Sequence, residues 1–402
     1  MLYYLKKIIL IIKKIFKNEI KINYGIPKNL QLVVYNSYSM NQLEFALEEK
    51  KFIVIDLRLV QLKNIYISLN LILKICLNLF RFKLSTNYFY SILTIINPPV
   101  VLTTCDNHRD FFEISKLLDG KIKFIAIQNA NRTDYERNDH DYKKKISLEN
   151  LNKDFFIPNF FCFGQNEIDN CNFYNINVSK FKKIGSINTS NFFYYLKKHQ
   201  KELKKEKFDI CLISEPALGD NQRYLENNVE EGFGLIANYT VKFARKSNSK
   251  FVFASKRFKN SKFYPKDLFT EEMNFYKKYL NNSDFNYLME NLNPKENSFS
   301  SYFAIFQSKV AIATQSTLLR DKIGVGEKIL SCNLTKFKLH DFPINGICKI
   351  NDCSYEQFEE RLSKIMNIST KEYFEKIDKN KNYVMEFKNQ FGALEEIKKE
   401  LI

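Results

Sequence analysis

The chain has no tryptophan, only four histidines, and no C-x-x-C pair among its eight cysteines. The histidines, at 108, 140, 199 and 340, have no metal-ligand spacing. The cysteines lie at 76, 105, 162, 171, 211, 332, 348 and 353, and Cys211 and Cys332 fall inside apolar runs. These absences exclude a zinc ribbon and a disulfide framework, and the cysteines read as small buried hydrophobes in a reducing compartment. No Asp-x-Asp stands at a suitable strand end, since the Asp139-His-Asp141 triplet sits in a charged loop. No metal is therefore expected. Long apolar runs are missing too: Ile8–Ile12 is far too short to span a bilayer, and no small-residue cleavage site follows it. The missing tryptophan and the excess of Lys, Asn, Ile, Phe and Tyr are what coding bias alone produces, so aromatic content carries no weight.

Acidic residues are in short supply, 45 against 62 Lys and Arg, for a net charge of +17. No helix-turn-helix, zinc-finger or RNA-recognition pattern accompanies the excess, so nucleic acid is not an expected partner. Attraction to an anionic membrane or an anionic substrate fits better. Within residues 1–22, Lys6, Lys7, Lys13, Lys14 and Lys17 share one helical face, and Leu5, Ile8, Ile9, Ile12, Ile15 and Phe16 fill the other. That is the pattern of a helix lying in a membrane interface, each Lys contributing about 1 kcal/mol near an anionic surface. An amphipathic helix packed on its own domain has the same pattern. The expected location is cytoplasmic, peripheral at the inner membrane.

What is present belongs to a globular protein. Hydrophobic residues make up 45% and charged residues 27%, and 402 residues suggest two domains rather than one core. Strand-like runs at 30–35, 52–56, 100–104, 123–128, 160–163 and 183–185 alternate with helical segments at 39–49 and 110–118. Residues 58–82, apolar but broken by polar side chains, read as a helix pair. After a Lys-rich helical stretch, 189–207, the alternation resumes with strands at 208–214, 250–255, 310–313 and 328–332 and helices near 229–247 and 270–280. The boundaries implied are a first lobe over 30–188, a linker helix over 189–207, a second lobe over 208–353 and charged helices over 354–402. Strands alternating with helices indicate α/β lobes, each a parallel sheet with right-handed crossovers.

In open parallel sheets ligands bind outside the C-terminal ends of the strands, and polar clusters sit at several such ends. In the first lobe they are Asp106, Asn107 and His108, then Gln128, Asn129 and Arg132. In the second they are Ser214–Asp220, Lys256 with Arg257, and Gln315, Ser316 and Thr317. The last group opens a helix, whose N-terminus offers free N–H donors and the positive end of the dipole. A capped corner with no ligand uses the same residues. Facing each other, such lobes suit transfer from a nucleotide-activated donor. Lys256, Arg257 and the start of the Ser316 helix would hold the diphosphate, and Asp106 or His108 would deprotonate an acceptor hydroxyl.

Four stretches carry a resemblance: VLTTCDN at Val101–Asn107, FIAIQNANR at Phe124–Arg132, Ile184-Gly-Ser186, and Tyr302 through Lys328 with its Ser316-Thr-Leu318. In these the chain resembles the bacterial surface-carbohydrate biosynthesis transferases, which are distantly similar to CDP-glycerol glycerophosphotransferases and capsule Kdo transferases. Ala130 stands where that pattern prefers Gly, and Asp321 where it prefers Glu. Glu271, Glu272 and Tyr276 match an EExxxY stretch of unassigned role. The resemblance implies two Rossmann-like lobes of glycosyltransferase-B type facing across a cleft, with the last helix returning to the first lobe. It implies a donor that is a nucleotide sugar or CDP-polyol, no further cofactor, and a glycan or lipid-linked glycan acceptor at the inner-membrane surface. Asp321 would then reach a ribose or sugar hydroxyl. A non-hydrolysing UDP-sugar 2-epimerase shares the layout but needs acids and a His in the cleft, and no His stands convincingly after the second-lobe strands. A non-catalytic assembly partner is the other alternative.

Overall fold

The computed structural model describes residues 13–17, 19–36, 38, 40–57, 62–106, 108–131, 156–173, 176–216, 228–259 and 267–401. The first lobe contains β1 (Lys21–Tyr24), β2 (Leu32–Tyr35), α1 (Met40–Leu47), β3 (Phe52–Ile55), β4 (Asn64–Ile67), α2 (Leu69–Leu77), α3 (Leu84–Ile96) and β5 (Val100–Thr103). It continues with α4 (Arg109–Leu117), β6 (Lys123–Ile127), β7 (Phe156–Cys162), α5 (Gln165–Phe173), β8 (Asn177–Lys183) and α6 (Ile187–Lys198). Six of these strands form one sheet in the order β3-β2-β5-β6-β7-β8, every pair parallel. Side chains alternate across it. Leu32, Val34, Leu102 and Ile125 enter one apolar layer, while Val33, Tyr35, Val101 and Phe124 enter the opposite one. Burial on both faces explains why these strands read as continuous apolar runs.

The second lobe contains β9 (Phe208–Ile213), α7 (Val229–Lys246), β10 (Phe251–Phe258), α8 (Leu268–Tyr279), α9 (Asn282–Glu290), β11 (Leu292–Lys295), α10 (Ser300–Phe306), β12 (Ser308–Ala313), α11 (Thr317–Val325), β13 (Lys328–Asn333) and β14 (Lys349–Asn351). Its sheet runs β11-β10-β9-β12-β13-β14, again all parallel. This is the doubly wound order, and the reversal lies between β9 and β12. The corresponding point in the first lobe lies between β2 and β5.

Three expectations shift. Residues 58–82 are not a helix pair: 64–67 form β4, which pairs in parallel with β1 in a separate two-stranded sheet, and only Leu69–Leu77 is helical. The β-branched run at 64–67 found a partner that local periodicity does not reveal. The helix expected to reach 207 stops at Lys198, where His199 caps it and Gln200 takes a left-handed conformation with φ of 48°. At the N-terminus, residues 13–16 are helical, residues 21–22 belong to β1, and residues 1–12 of the expected amphipathic helix lie outside the described residues.

After β14 come α12 (Tyr355–Asn367), α13 (Thr370–Glu375) and α14 (Gly392–Glu400). The last returns to the first lobe: Ala393, Ile397 and Leu401 pack with Leu32, Val34 and Ile125. Lys182 Nζ lies 2.8 Å from both Glu396 and Glu400, and Lys123 Nζ lies 2.6 Å from Glu400. The segment leading to α14 presses against both lobes. A Cβ at Gly185, where φ is +78°, would lie 1.9 Å from the Glu386 carbonyl, and one at Gly324 would lie 2.7 Å from Met385 Cβ. Glycine permits the approach on each side.

Candidate functional site

The C-terminal ends of the second-lobe strands open into a cavity of about 400 Å³, lined also by Ala130 and Asn131 of the first lobe. β9 delivers Ser214 and Glu215, β10 Ser255 and Lys256, and β11 Lys295. The turn after β12 brings Gln315, Ser316 and Thr317, and the loop after β13 brings His340. The parallel order accounts for the convergence, because all these strands finish on the same edge.

The turn at the reversal point is held by a carboxylate. Glu215 accepts the backbone N–H groups of Thr314 and Gln315. Burial pushes its carboxyl up, and those two N–H groups oppose the shift. Ser316 caps α11 by accepting from Leu318 N at 3.3 Å. Thr317 Oγ1 accepts the Asn131 N–H at 2.9 Å, and Asn131 Nδ2 donates to the Gln315 carbonyl at 3.2 Å. One side of the helix start is thereby tied to the first lobe, and within its first turn the Leu319 N–H bonds the Ser316 carbonyl at 3.0 Å. Lys256 and Lys295 stand opposite. Burial lowers the pKa of each, and the neighbouring Arg257 charge lowers it further.

Behind these side chains is a network that gives the EExxxY stretch a role. Glu272 on α8 is fully buried and accepts the backbone N–H groups of Lys256 and Arg257, each at 2.8 Å. It also accepts the Ser214 hydroxyl, which in turn accepts from Tyr276 at 3.0 Å. Burial pushes the Glu272 carboxyl up, against these donors. Glu272 and Tyr276 therefore lock the ends of β9 and β10 together and aim Lys256. Arg257, one residue further on, does not line the cavity.

Of the expected residues, Lys256, Gln315, Ser316 and Thr317 meet in the cavity. Asp321 does not, and the expectation that it contacts the donor is corrected. Five residues of α-helix carry it about 140° around the axis from Ser316. There it is fully buried and accepts the Tyr302 hydroxyl at 2.8 Å. Burial pushes its carboxyl up to about 6, against hydrogen bonds from Tyr302, Ser186 and Thr189. It is a residue of the lobe interface. Beside it, Arg320 Nη1 lies 2.9 Å from Glu167 of α5, a buried ion pair joining the lobes.

In the first lobe, Asp106 and His108 follow β5 at that lobe's own reversal point, outside the 400 Å³ cavity. Asp106 is buried. His108 Nδ1 shares a 2.7 Å hydrogen bond with the Tyr35 hydroxyl and lies 3.7 Å from Asp110. Gln128 is structural: its Oε1 accepts Phe163 N at 2.9 Å, and its Nε2 donates to the Ala130 carbonyl at 3.1 Å. Asn129 accepts from Gln42 at 2.7 Å and Asn188 at 3.0 Å. Asn107 and Arg132 lie outside the described residues. Ala130 is not among the residues of positive φ, so its departure from Gly causes no backbone strain.

Sequence reading passed over Glu215, Lys295 and His340. Glu215 stands in the quoted Ser214–Asp220 cluster, but β11 and the loop after β13 have no period that points to them. The His340 ring stacks on Phe233 with centroids 5.9 Å apart and meets Phe337 edge-on at 4.7 Å. A histidine does follow a second-lobe strand into the cleft, contrary to expectation. Among the described residues no group of three His, Cys, Asp or Glu side chains is placed to hold a metal ion.

No protein-family model and no curated protein matches the chain. Solved structures do. The UDP-GlcNAc 2-epimerase of Methanocaldococcus jannaschii, in complex with UDP-GlcNAc and UDP, is 12% identical over 93% of this chain and 99% of its own, with a TM-score of 0.51. The wall teichoic acid polymerase TagF is 9% identical over 100% and 98%, at 0.48. Arabidopsis thaliana UGT89C1 is 9% identical over 94% and 100%, at 0.43. At 12% identity the likeness to the epimerase concerns the fold alone: two Rossmann-like lobes in the glycosyltransferase-B layout.

Proposed function

We propose that the chain is a glycosyltransferase, or a related polyol-phosphate transferase, that takes its donor from a nucleoside diphosphate and builds bacterial surface polysaccharide such as capsule or O-antigen. The observation that carries this reading is the second-lobe cavity, where the start of α11 faces Lys256 and Lys295 across the strand ends. N–H donors and ammonium groups are what a diphosphate leaving group needs, and they stabilise the charge that develops as its bond to the sugar or polyol breaks. Asn131 would bring the acceptor lobe against the donor site through its contacts with Thr317 and Gln315. The acceptor would be a glycan or lipid-linked glycan. Its hydroxyl would lose a proton to Asp106 or His108.

The test is binding of UDP-, GDP- and CMP-sugars and CDP-polyols, read by calorimetry and thermal shift. Ser316→Ala/Thr317→Ala should weaken the best ligand by roughly 1–3 kcal/mol. Loss of the cap alone should cost about 1 kcal/mol of stability. A double variant that melts lower yet binds every nucleotide as wild type would mark the turn as a capped corner and sink the reading.

His340 favours a second reading. A ring that lines the same cavity as Glu215 would give a 2-epimerase-like reaction its acid–base pair. Scrambling of the sugar C2 configuration without any acceptor would select it.

A further inference from the structure

Away from the cleft, the first lobe carries an apolar face at its β1–β4 end. α2 is apolar on both sides. Leu71 and Ile75 turn inward to the core, whereas Leu69, Ile72, Leu73 and Leu77 point outward and are exposed. The face continues through the turn after α2, where Phe80 is 100% exposed, to Leu84 at the start of α3, 69% exposed. Large apolar side chains grouped this way mark an interaction surface.

Charge identifies the occupant. From Leu57 to Cys105 the chain contains no Asp or Glu, while Lys63, Lys74, Arg81 and Lys83 lie in or beside the face. Lys63, Arg81 and Lys83 are exposed. The β1–β4 pairing brings the basic N-terminal region to the same end, with Lys21 opposite Asn64 in register and Phe16 83% exposed. Protruding apolar side chains rimmed by cations, on a stretch of chain without Asp or Glu, complement an anionic bilayer surface. A protein partner would have to be acidic at its rim and apolar at its centre, a pairing that an anionic leaflet presents over its whole surface. Among the described residues no helix is long and apolar enough to cross a membrane, so the contact is with the interface.

We propose that the α2–α3 turn is a membrane-docking element: Leu73, Leu77 and Phe80 insert among the acyl chains of an anionic leaflet while Arg81 and Lys83 meet the headgroups. This deepens the expected membrane association by locating it in the folded lobe, and it does not depend on the donor reading.

The absence of tryptophan makes the test direct. In the full-length chain, Phe80→Trp places a single indole at the tip. Its emission should shift to the blue on adding vesicles of phosphatidylcholine with phosphatidylglycerol, and not with phosphatidylcholine alone. Leu73→Gln/Leu77→Gln should lower flotation with the anionic vesicles by at least about tenfold, with nucleotide binding unchanged. An indole that stays in water in the presence of anionic vesicles overturns the proposal. So does a folded double variant that floats like wild type. If the double variant does not fold, the indole decides alone. A blue shift that survives deletion of residues 1–20 supports the face as an inserting element. A shift lost with that deletion assigns binding to the N-terminal segment and overturns it, as does a concentration-dependent dimer abolished by Leu73→Gln/Leu77→Gln.

Discussion

Asp321 is a carboxylate in a fully buried site, and water stabilises its charged form more than the protein does. Its folded pKa of about 6 lies above the ordinary 3.8. The native state therefore holds the proton more tightly than the unfolded chain does. The contribution to stability is full below about pH 4 and is lost as pH rises through about 6. Asp321→Asn removes that dependence, so the variant should gain in melting temperature relative to wild type between pH 5 and pH 7.5. A difference that stays flat over this range would show that the carboxyl titrates as in water. The proton-transfer assignment is decided by comparing two residues. Asp106→Asn should lower turnover by at least about tenfold with donor affinity intact. If His340→Ala removes turnover and Asp106→Asn does not, the base belongs to the second lobe. At this scale the sequence was legible where polar residues marked a strand's C-terminal end, as Lys256 does late in β10 and Gln315–Thr317 do in the turn after β12. It misled where a side chain's direction depended on helical phase, as with Asp321. It also misled where the site came from an aperiodic loop, as with His340.

Among the elements, apolar runs buried on both faces were the easiest to read, which is why, β8 aside (expected at 183–185, found largely exposed at Asn177–Lys183), nine of the strands were anticipated in outline. β1, β4, β11 and β14 were not. Each is three or four residues long and lies at a sheet edge or in the small two-stranded sheet, where packing demands less of the sequence. The return of α14 depends on the close approach at Gly185. Gly185→Ala would combine a left-handed backbone with a Cβ driven into the Glu386 carbonyl. It should destabilise the protein by roughly 2–4 kcal/mol, read from urea unfolding. Unfolding like wild type would mean that the 383–388 segment shifts freely, and α14 would then be a loosely held appendage. Glu396 and Glu400 add a pH signature. Hydrogen bonds from Lys182 and Lys123 respectively hold each carboxyl down to about 2. That support is present above the ordinary 4.5 and is lost as pH falls toward 2, so acid should release α14 before it unfolds the sheets.

For the molecule as a whole, the two lobes share a buried charge pair. Arg320→Ala would strand Glu167, whose carboxyl burial already pushes up and the Arg320 charge holds down. The expected cost is about 3–5 kcal/mol, with most of it recovered in Glu167→Gln/Arg320→Met. Calorimetry that finds the single variant as stable as wild type would show that water already reaches the pair.

The chain passes between the lobes twice, once through α6, whose Phe192 stacks on Phe306 of the second lobe, and once on the way to α14. A body tethered to another at one point can swivel in every direction. Tethered at two, it keeps a single easy rotation, about the line through the tethers. Any opening of the cleft is thereby confined to one angle, along which Asn131 would leave and regain Thr317 on the same arc. The lobes need not search for their register at each closure, because the connectivity of the backbone has already chosen it.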